Sequence, residues 1–204
     1  MIIRIAYRAL RKVRFLILRQ FFTPFTKFLF YINGIKYGNN LKILGFLKID
    51  ITKRGFVRLG DNLSVNSGHN YNVIGRQQKT IIVVDGKLTI GSNVGMSSTA
   101  IVCKHKISIG NHVKLGGGVC IYDTDFHSLD PKIRRDSNLD KLNAKSAAIV
   151  LKDNVFVGAH STILKGVTIG ENSIIGACSL VSRSIPANQI WGGNPARFIR
   201  EVQT

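Results

Sequence analysis

Residues 154–186 read NVFVGAHSTILKGVTIGENSIIGACSLVSRSIP, a stretch in which one aliphatic position recurs every six residues. The register begins just before this stretch, and its members are Leu151, Val157, Ile163, Ile169, Ile175 and Val181. A small or β-branched residue stands two positions before each of them: Ile149, Val155, Ser161, Val167, Ser173 and Ser179. Since strand side chains alternate, both positions face the same side of an extended segment. A sustained six-residue period is the sequence signature of a parallel β-helix.

The same period continues upstream with interruptions. It recurs in two sets separated by one extra residue: Ile90, Met96, Val102 and Ile109, Leu115, Ile121. Three six-residue legs form one triangular coil of about 18 residues, and stacked coils bury the aliphatic column continuously. A chain of 204 residues accommodates one such body with short appendages. We predict an extension at 1–40, an all-β solenoid at 41–190 and a tail at 191–204.

The period is erased between Ile121 and Leu151. Residues 122–148, YDTDFHSLDPKIRRDSNLDKLNAKSAA, are polar and form a predicted loop inserted between two coils. A long loop within a regular solenoid is usually functional. It contains His127, and histidine is the residue type whose pKa best suits a general base near neutral pH. The loop is therefore the predicted site of chemistry.

The first thirty residues are basic and apolar at once, within a chain of net charge +18. The cations there are Arg4, Arg8, Arg11, Lys12, Arg14, Arg19 and Lys27. Their spacing predicts an amphipathic helix that Pro24 ends or bends, followed by a second apolar piece. No apolar run approaches the about 18 residues of a spanning helix. We expect residues 1–31 to attach a cytoplasmic protein peripherally to the anionic inner face of the cell membrane; the alternative is packing on the body or on a neighbouring subunit.

Other partners are less well supported by the sequence. Charge alone would suit nucleic acid, but neither a stacking platform nor a helix-turn-helix pattern accompanies it, so no nucleic acid is expected. Cys103, Cys120 and Cys178 show no zinc spacing, which predicts packing roles in a reducing compartment and no metal. A β-helical carbonic anhydrase would need a set of histidines that binds zinc. His105 and His112 are the residues of this sequence that come nearest to such a set.

Three stretches carry a resemblance to a known family. They are DTDFH at 123–127, the stretch at 154–186, and WGGNPARFIR at 191–200. Over roughly residues 80 to 200 the chain resembles the hexapeptide-repeat acyltransferases, and among them the maltose, galactoside and surface-polysaccharide O-acetyltransferases. The resemblance implies a left-handed parallel β-helix, a homotrimer, acetyl-CoA as the acyl donor, and His127 as the catalytic general base.

The resemblance also implies binding residues. The backbone N–H near Ala159 is the expected oxyanion donor. The pantetheine arm of the cofactor is expected along Ala159, Ala177, Ser182 and Arg183, with Arg197 and Arg200 near the coenzyme's phosphates. For the acceptor sugar, Asp123 and Asp125 are expected to orient the imidazole or to hold hydroxyls. Met96 stands where the family often has Asn, so Ser97 and Ser98 are the candidates there.

The sequence therefore predicts an O-acetyltransferase that modifies a sugar of a surface polysaccharide or of its lipid-linked precursor. N-acetylation of an amino sugar or a small-molecule drug is the alternative, because the same coil and base could perform it. A carbonic anhydrase and a non-catalytic β-helix scaffold are further alternatives.

Overall fold

The computed structural model describes residues 2–68, 70–72, 74 and 78–203, without the side chains of Ile2, Arg11 and Lys12. The chain begins with one long helix, α1 (Ile2–Ile32), and continues as a series of short strands. The strands are β1 (Lys36–Tyr37), β2 (Lys42–Leu44), β3 (Lys48–Ile51), β4 (Phe56–Leu59), β5 (Ser64–Asn66), β6 (Ile81–Val84), β7 (Lys87–Ile90), β8 (Gly95–Ser97), β9 (Ala100–Cys103), β10 (Lys106–Ile109), β11 (Lys114–Leu115), β12 (Cys120–Tyr122), β13 (Ile149–Leu151), β14 (Phe156–Val157), β15 (Thr162–Ile163), β16 (Thr168–Ile169), β17 (Ile174–Ile175), β18 (Leu180–Val181), β19 (Gln189–Gly192) and β20 (Arg197–Glu201).

From β1 to β18, every third strand belongs to the same parallel sheet, which makes the body a triangular prism. Sheet A contains β1, β4, β7, β10, β13 and β16; sheet B contains β2, β5, β8, β11, β14, β17, β19 and β20; sheet C contains β3, β6, β9, β12, β15 and β18. Strand pairing is continuous across the inserted loop, because Ile107 and Ile109 before the loop pair with Ile149 and Leu151 after it. The predicted parallel β-helix is thus present.

The core is the column that the six-residue period predicts. The side chains of Val157, Ile163, Ile169, Ile175 and Val181 are each 0% exposed. The small partners two positions earlier also point inward, and the buried serines among them are hydrogen-bonded: Ser161 Oγ donates to the Gly176 carbonyl oxygen at 2.9 Å, and Ser173 Oγ to that of Pro186 at 2.7 Å.

Three edges join the sheets, and we name them by the sheets they connect. Edge A/B carries a ladder of asparagines in the left-handed region, whose amides are bonded from coil to coil at 2.8 to 3.2 Å: Asn40, Asn62, Asn93, Asn154, Asn172 and Asn188. Asparagine tolerates that conformation because its short side chain bonds locally. His112 takes the ladder position between Asn93 and Asn154.

The predicted loop leaves the prism at edge C/A, between β12 and β13. It contains a 3-10 helix (Ile133–Arg135) and a short helix, α2 (Ser137–Asn143), and a bridge between Thr124 and Ser146 closes its base. We call residues 122–148 the excursion.

A second insertion, at residues 67–80, was not predicted. It interrupts edge B/C between β5 and β6, and two of its described residues, Asn72 and Ile74, lie against Gly117 two coils further on. A Cβ on Gly117 would come within 2.7 Å of Asn72 Oδ1, so this contact requires glycine. The weak period before Ile90 hid this insertion.

Helix α1 continues through Pro24 to Ile32, so of the two predicted outcomes, an end or a bend at Pro24, the end is wrong. Its C-terminal third lies on the open end of the first coil, where Phe22, Thr26 and Phe30 are buried, and Thr23 Oγ1 accepts a hydrogen bond from the Ile43 N–H at 3.2 Å. This packing outweighs the hydrogen bond that proline cannot donate. The helix caps the solenoid, whose terminal coil would otherwise expose its core.

The two ends of the chain are integrated into the solenoid more than the predicted boundaries suggest. Strand β1 lies within 1–40 yet pairs with β4. At the other end, β20 pairs antiparallel with β19, so the tail extends sheet B. Within the described part of the chain, no helix combines the length and apolar character needed to cross a bilayer.

Candidate active site

His127 and Asp140 form a hydrogen-bonded pair on the excursion. His127 Nδ1 lies 2.6 Å from Asp140 Oδ2, and Asp140 Oδ1 accepts from the Ser128 N–H at 2.6 Å. The carboxylate can only accept, which assigns a proton to Nδ1 and makes Nε2 the unprotonated nitrogen of the neutral tautomer. The His127 side chain is 67% exposed and that of Asp140 only 9%. Asp140 therefore fixes the orientation of the imidazole, while most of the ring is exposed to solvent.

The local sequence explains how Asp140 reaches this position. Asp136 caps α2, with its side chain accepting from the Asn138 and Leu139 N–H groups at 2.9 Å each. Asp140 then falls in the first turn, where a negative charge is favoured by the helix dipole. Its hydrogen bond from His127 and then that from Ser128 lower the pKa of Asp140 below its ordinary value. Sequence reasoning missed Asp140, although an acidic residue following a helix cap in the loop of His127 is a signal that points to it.

Asp123 does not orient His127 and does not face an acceptor, which corrects the prediction for it. It is fully buried, and its carboxylate accepts hydrogen bonds from the N–H groups of Lys104, His105 and Lys106 at 2.7, 2.8 and 2.8 Å. These bonds hold the turn below the excursion at edge C/A. Burial, and next the charge of Asp123, raise the pKa of the Cys103 thiol to about 12, so Cys103 stays protonated within the core.

Asp125 ties the excursion to the following coil. Its Oδ1 accepts from Lys165 Nζ at 2.8 Å. Its other oxygen, Oδ2, is buried and has no hydrogen-bond partner among the described residues. Asp125 therefore holds the loop in place through Lys165, and its predicted role in binding the acceptor would require the same carboxylate.

The two candidate serines lie at the B/C side, away from the base of the excursion. Ser98 is fully buried in the left-handed region; its N–H donates to the Asn66 carbonyl at 2.7 Å and its carbonyl accepts from Gln78 Nε2 at 2.6 Å. Ser98 therefore shapes a turn, which corrects its predicted contact with a sugar. Ser97 is half-buried and lines an open groove of about 290 Å³ that also contains Lys114 and Phe156.

The predicted cofactor residues fall in two groups. Ala159 and Ala177 occupy equivalent positions on edge B/C one coil apart, and glycines let the coils stack closely beside them: a Cβ on Gly116 would lie 2.6 Å from the Ala159 nitrogen. Among the described residues, the Ala159 N–H donates no hydrogen bond. It is thus available to an oxyanion or to an amide of a ligand.

The second group lies beyond the last coils. Ser182 and Arg183 are exposed on edge C/A, and the Arg183 guanidinium sits 5.1 Å from the centre of the Trp191 ring. Arg197 and Arg200 are exposed on β20. Within one chain, the excursion of His127 and the alanines of the predicted pantetheine track are on different edges of the prism.

A triangular parallel β-helix built from six-residue repeats is the architecture expected of a hexapeptide-repeat transferase. The sequence pattern of the family described as bacterial transferase hexapeptide (six repeats) matches residues 148–183. Galactoside O-acetyltransferase of Lactococcus lactis is 31% identical over 155 residues, which cover 76% of this chain and 68% of that protein. The chain belongs to the hexapeptide-repeat acetyltransferase family.

Two further relatives extend the comparison. A putative lipopolysaccharide biosynthesis O-acetyl transferase, WbbJ of Escherichia coli, is 27% identical over 82% of this chain and 72% of that protein. The crystal structure of AntD, an N-acyltransferase from Bacillus cereus in complex with dTDP and 3-hydroxybutyryl-CoA, superimposes with a TM-score of 0.67 at 25% identity, covering 87% of this chain and 88% of that one. The predicted left-handed β-helix with a helical extension is confirmed.

The extent of the matches differs among relatives. The chain spans about half the length of some of the curated relatives it matches, 47% and 44% in two cases. Within the described residues, no group of three or more His, Cys, Asp or Glu side chains is gathered as a metal would require.

Proposed function

We propose that this protein is an acetyl-CoA-dependent O-acetyltransferase that modifies a sugar hydroxyl of a surface polysaccharide or of its lipid-linked precursor. The observation that carries the proposal is the His127–Asp140 pair, which is held on the excursion at edge C/A with an imidazole that is 67% exposed. Support for the donor comes from AntD, which was crystallised with an acyl-CoA. Support for the acceptor comes from relatives named for galactoside and lipopolysaccharide O-acetylation.

The geometry indicates a chemical role for each residue of the site. Nε2 of His127 removes the proton of the sugar hydroxyl while the hydroxyl oxygen attacks the thioester carbonyl. Asp140 stabilises the imidazolium that forms. The Ala159 N–H donates to the oxyanion. When the tetrahedral species collapses, the C–S bond breaks and the imidazolium returns its proton to the departing thiolate of coenzyme A. One positioned base of this kind contributes about a hundred- to ten-thousand-fold in rate.

The same proposal requires more than one chain. His127 emerges at edge C/A and Ala159 lies on edge B/C, so a cleft between two prisms packed side by side would bring them together. Closed cyclic assembly repeats such a cleft and covers flat solenoid faces. We therefore propose a homotrimer in which the cofactor wall at 159–200 comes from an adjoining chain.

The test of the proposed function is acetyl transfer from labelled acetyl-CoA to glycan fractions of the cell envelope by the purified protein. We expect label in the glycan and release of one free thiol per acetyl group. Mild alkali should release the label, since esters are labile to it. Alkali-stable label would instead establish N-acetylation, the second candidate, which the likeness to the N-acyltransferase AntD favours. Absence of thiol release with every fraction would leave a non-catalytic scaffold.

We also propose that α1 attaches the enzyme to an anionic membrane. Beyond the part that caps the solenoid, its apolar side chains are unusually exposed, with Leu10 at 69% and Leu16 at 61%. Arginines at Arg4, Arg8 and Arg14 are exposed on the same helix. Apolar residues that enter the interface and cations that meet lipid phosphates are the two signals of an interfacial helix.

Replacing Leu10 and Leu16 together by glutamine is expected to lower the partition onto vesicles of anionic phospholipid by about ten-fold or more. Deletion of the whole helix would be a poor test, because Phe22 and Phe30 cap the core. Sedimentation with vesicles measures the effect, and Leu129→Gln, an equally exposed position on the excursion, is the control. Undiminished sedimentation of the double variant would refute attachment through the exposed leucines of α1.

A further inference from the structure

A cavity of about 490 Å³ lies at edge C/A, between the excursion and the turns of the coils that precede it. The prism contributes Arg54, Asp85 and Lys104 to its wall. The excursion contributes Phe126, Lys141 and Leu142. Both arms of the excursion thus meet the body here, and Thr124 and Ser146, which form the bridge between the arms, also line the cavity.

The charges of this cavity do not cancel. Arg54 is paired with Asp85, its Nη2 lying 2.8 Å from Oδ2. Lys104 and Lys141 are exposed, and within the described part of the chain neither forms a salt bridge. Three cations and one carboxylate among the lining residues leave two net positive charges. This excess of positive charge would attract an anionic ligand to the cavity.

The cavity is joined to the His127–Asp140 pair through the chain itself. Phe126 immediately precedes His127, and Lys141 immediately follows Asp140. Phe126 is held in the left-handed region with φ of 65°, and its ring packs edge-on against Tyr122 with centroids 5.3 Å apart. The turn that presents the imidazole is therefore also a wall of the cavity. A ligand with an anionic part in the cavity would have its neighbouring group near His127.

The residues that line the cavity indicate which class of ligand it would bind. Phe126 and Leu142 are 44% and 80% exposed, so an apolar surface lies beside the cations. Guanidinium and ammonium groups bind phosphate oxygens well, and an aromatic face accepts the apolar face of a sugar ring. A monosaccharide joined to a diphosphate presents both features next to each other.

We infer that this cavity binds the diphosphate of an activated sugar, placing the sugar hydroxyl at His127. The inference rests on the proposed function and makes it more specific: the acceptor is a diphosphate-linked sugar, acetylated before the sugar is transferred from its carrier. The diphosphate could belong to a nucleotide or to a polyprenyl carrier, since both present the same group to Lys104 and Lys141.

The test uses inorganic pyrophosphate as the probe and the full-length protein saturated with coenzyme A, so that the phosphate site of the coenzyme is occupied. We expect pyrophosphate to bind this complex in calorimetry, and Lys104→Gln with Lys141→Gln to weaken its binding by about ten-fold or more. The double lysine-to-arginine variant should retain binding. Lys42→Gln with Lys48→Gln, an equal change of charge at two exposed lysines of the first coil, should leave the affinity unchanged.

Competition then identifies the carrier, because a nucleoside diphosphate and a short polyprenyl diphosphate are each titrated against bound pyrophosphate. The competitor that displaces pyrophosphate at the lower concentration identifies the source of the diphosphate. Unchanged pyrophosphate affinity in the glutamine variant would overturn the inference, and so would dissociation of the oligomer by that variant, which would make the cavity a subunit interface. Neither result depends on acetyl transfer, so the proposed function would stand or fall separately.

Discussion

Replacing His127 by asparagine is expected to lower kcat for acetyl transfer by about a hundred- to ten-thousand-fold, because in the proposed mechanism His127 is the base that takes the hydroxyl proton. KM for acetyl-CoA should change little, since the predicted cofactor residues lie at Ala159, Ala177 and beyond, on other parts of the surface. The variant should fold normally, because the imidazole is 67% exposed and contributes no core contact. Release of the coenzyme A thiol measures the rate.

The matched control for this variant is His105→Asn. His105 is exposed at the turn below the excursion, and its backbone rather than its ring is bonded to Asp123. We expect its rate to equal that of the unmodified enzyme. A His127→Asn enzyme that turned over at the unmodified rate would show that the excursion does not carry the base.

The second large effect is expected at Asp140, a positioning residue. In Asp140→Asn the amide can still accept from the Ser128 N–H, but its nitrogen donates to Nδ1 of His127 and so favours the tautomer with the proton on Nε2. The base is then blocked, and we expect kcat to fall on the order of a hundred-fold or more. Asp140→Glu keeps a carboxylate and should recover part of the loss.

Acid unfolding tests the ionised state of Asp140, and the profile of kcat/KM against pH tests its role in positioning His127. His127 holds the pKa of Asp140 below its ordinary value, so the stabilisation from this carboxylate is present above the unfolded pKa of about 4 and is lost as the pH falls through the lower folded value. The acid-unfolding profile of Asp140→Asn should lack that loss. An asparagine variant with full activity and an unchanged profile of kcat/KM against pH would contradict the assignment.

Much of the fold could be predicted because each coil repeats one physical requirement. The column from Leu151 to Val181 has to fill the interior of the prism, so its spacing is visible in the sequence. The excursion could be predicted for the same reason, as the interval in which that requirement lapses. The insertion at 67–80 could not, because the period around it is already irregular.

The details of the site were less predictable because they depend on contacts between coils. Asp123 stands four residues before His127 in the sequence, yet its partners at 104–106 lie on the previous coil. Asp140 is thirteen residues away from His127 and reaches it only because α2 folds back over the loop. Likewise, Pro24 remains inside α1 because the first coil supports the helix beyond it, which local propensity does not include.

We propose that the protein adds acetyl groups to surface sugars with His127 as the base. Mass spectrometry of surface glycans from a strain that lacks the protein tests it most directly. We expect the glycan repeat to lose the mass of one acetyl group, and the unmodified gene to restore that mass while the His127→Asn gene does not. Glycans of identical mass with and without the protein would contradict the account.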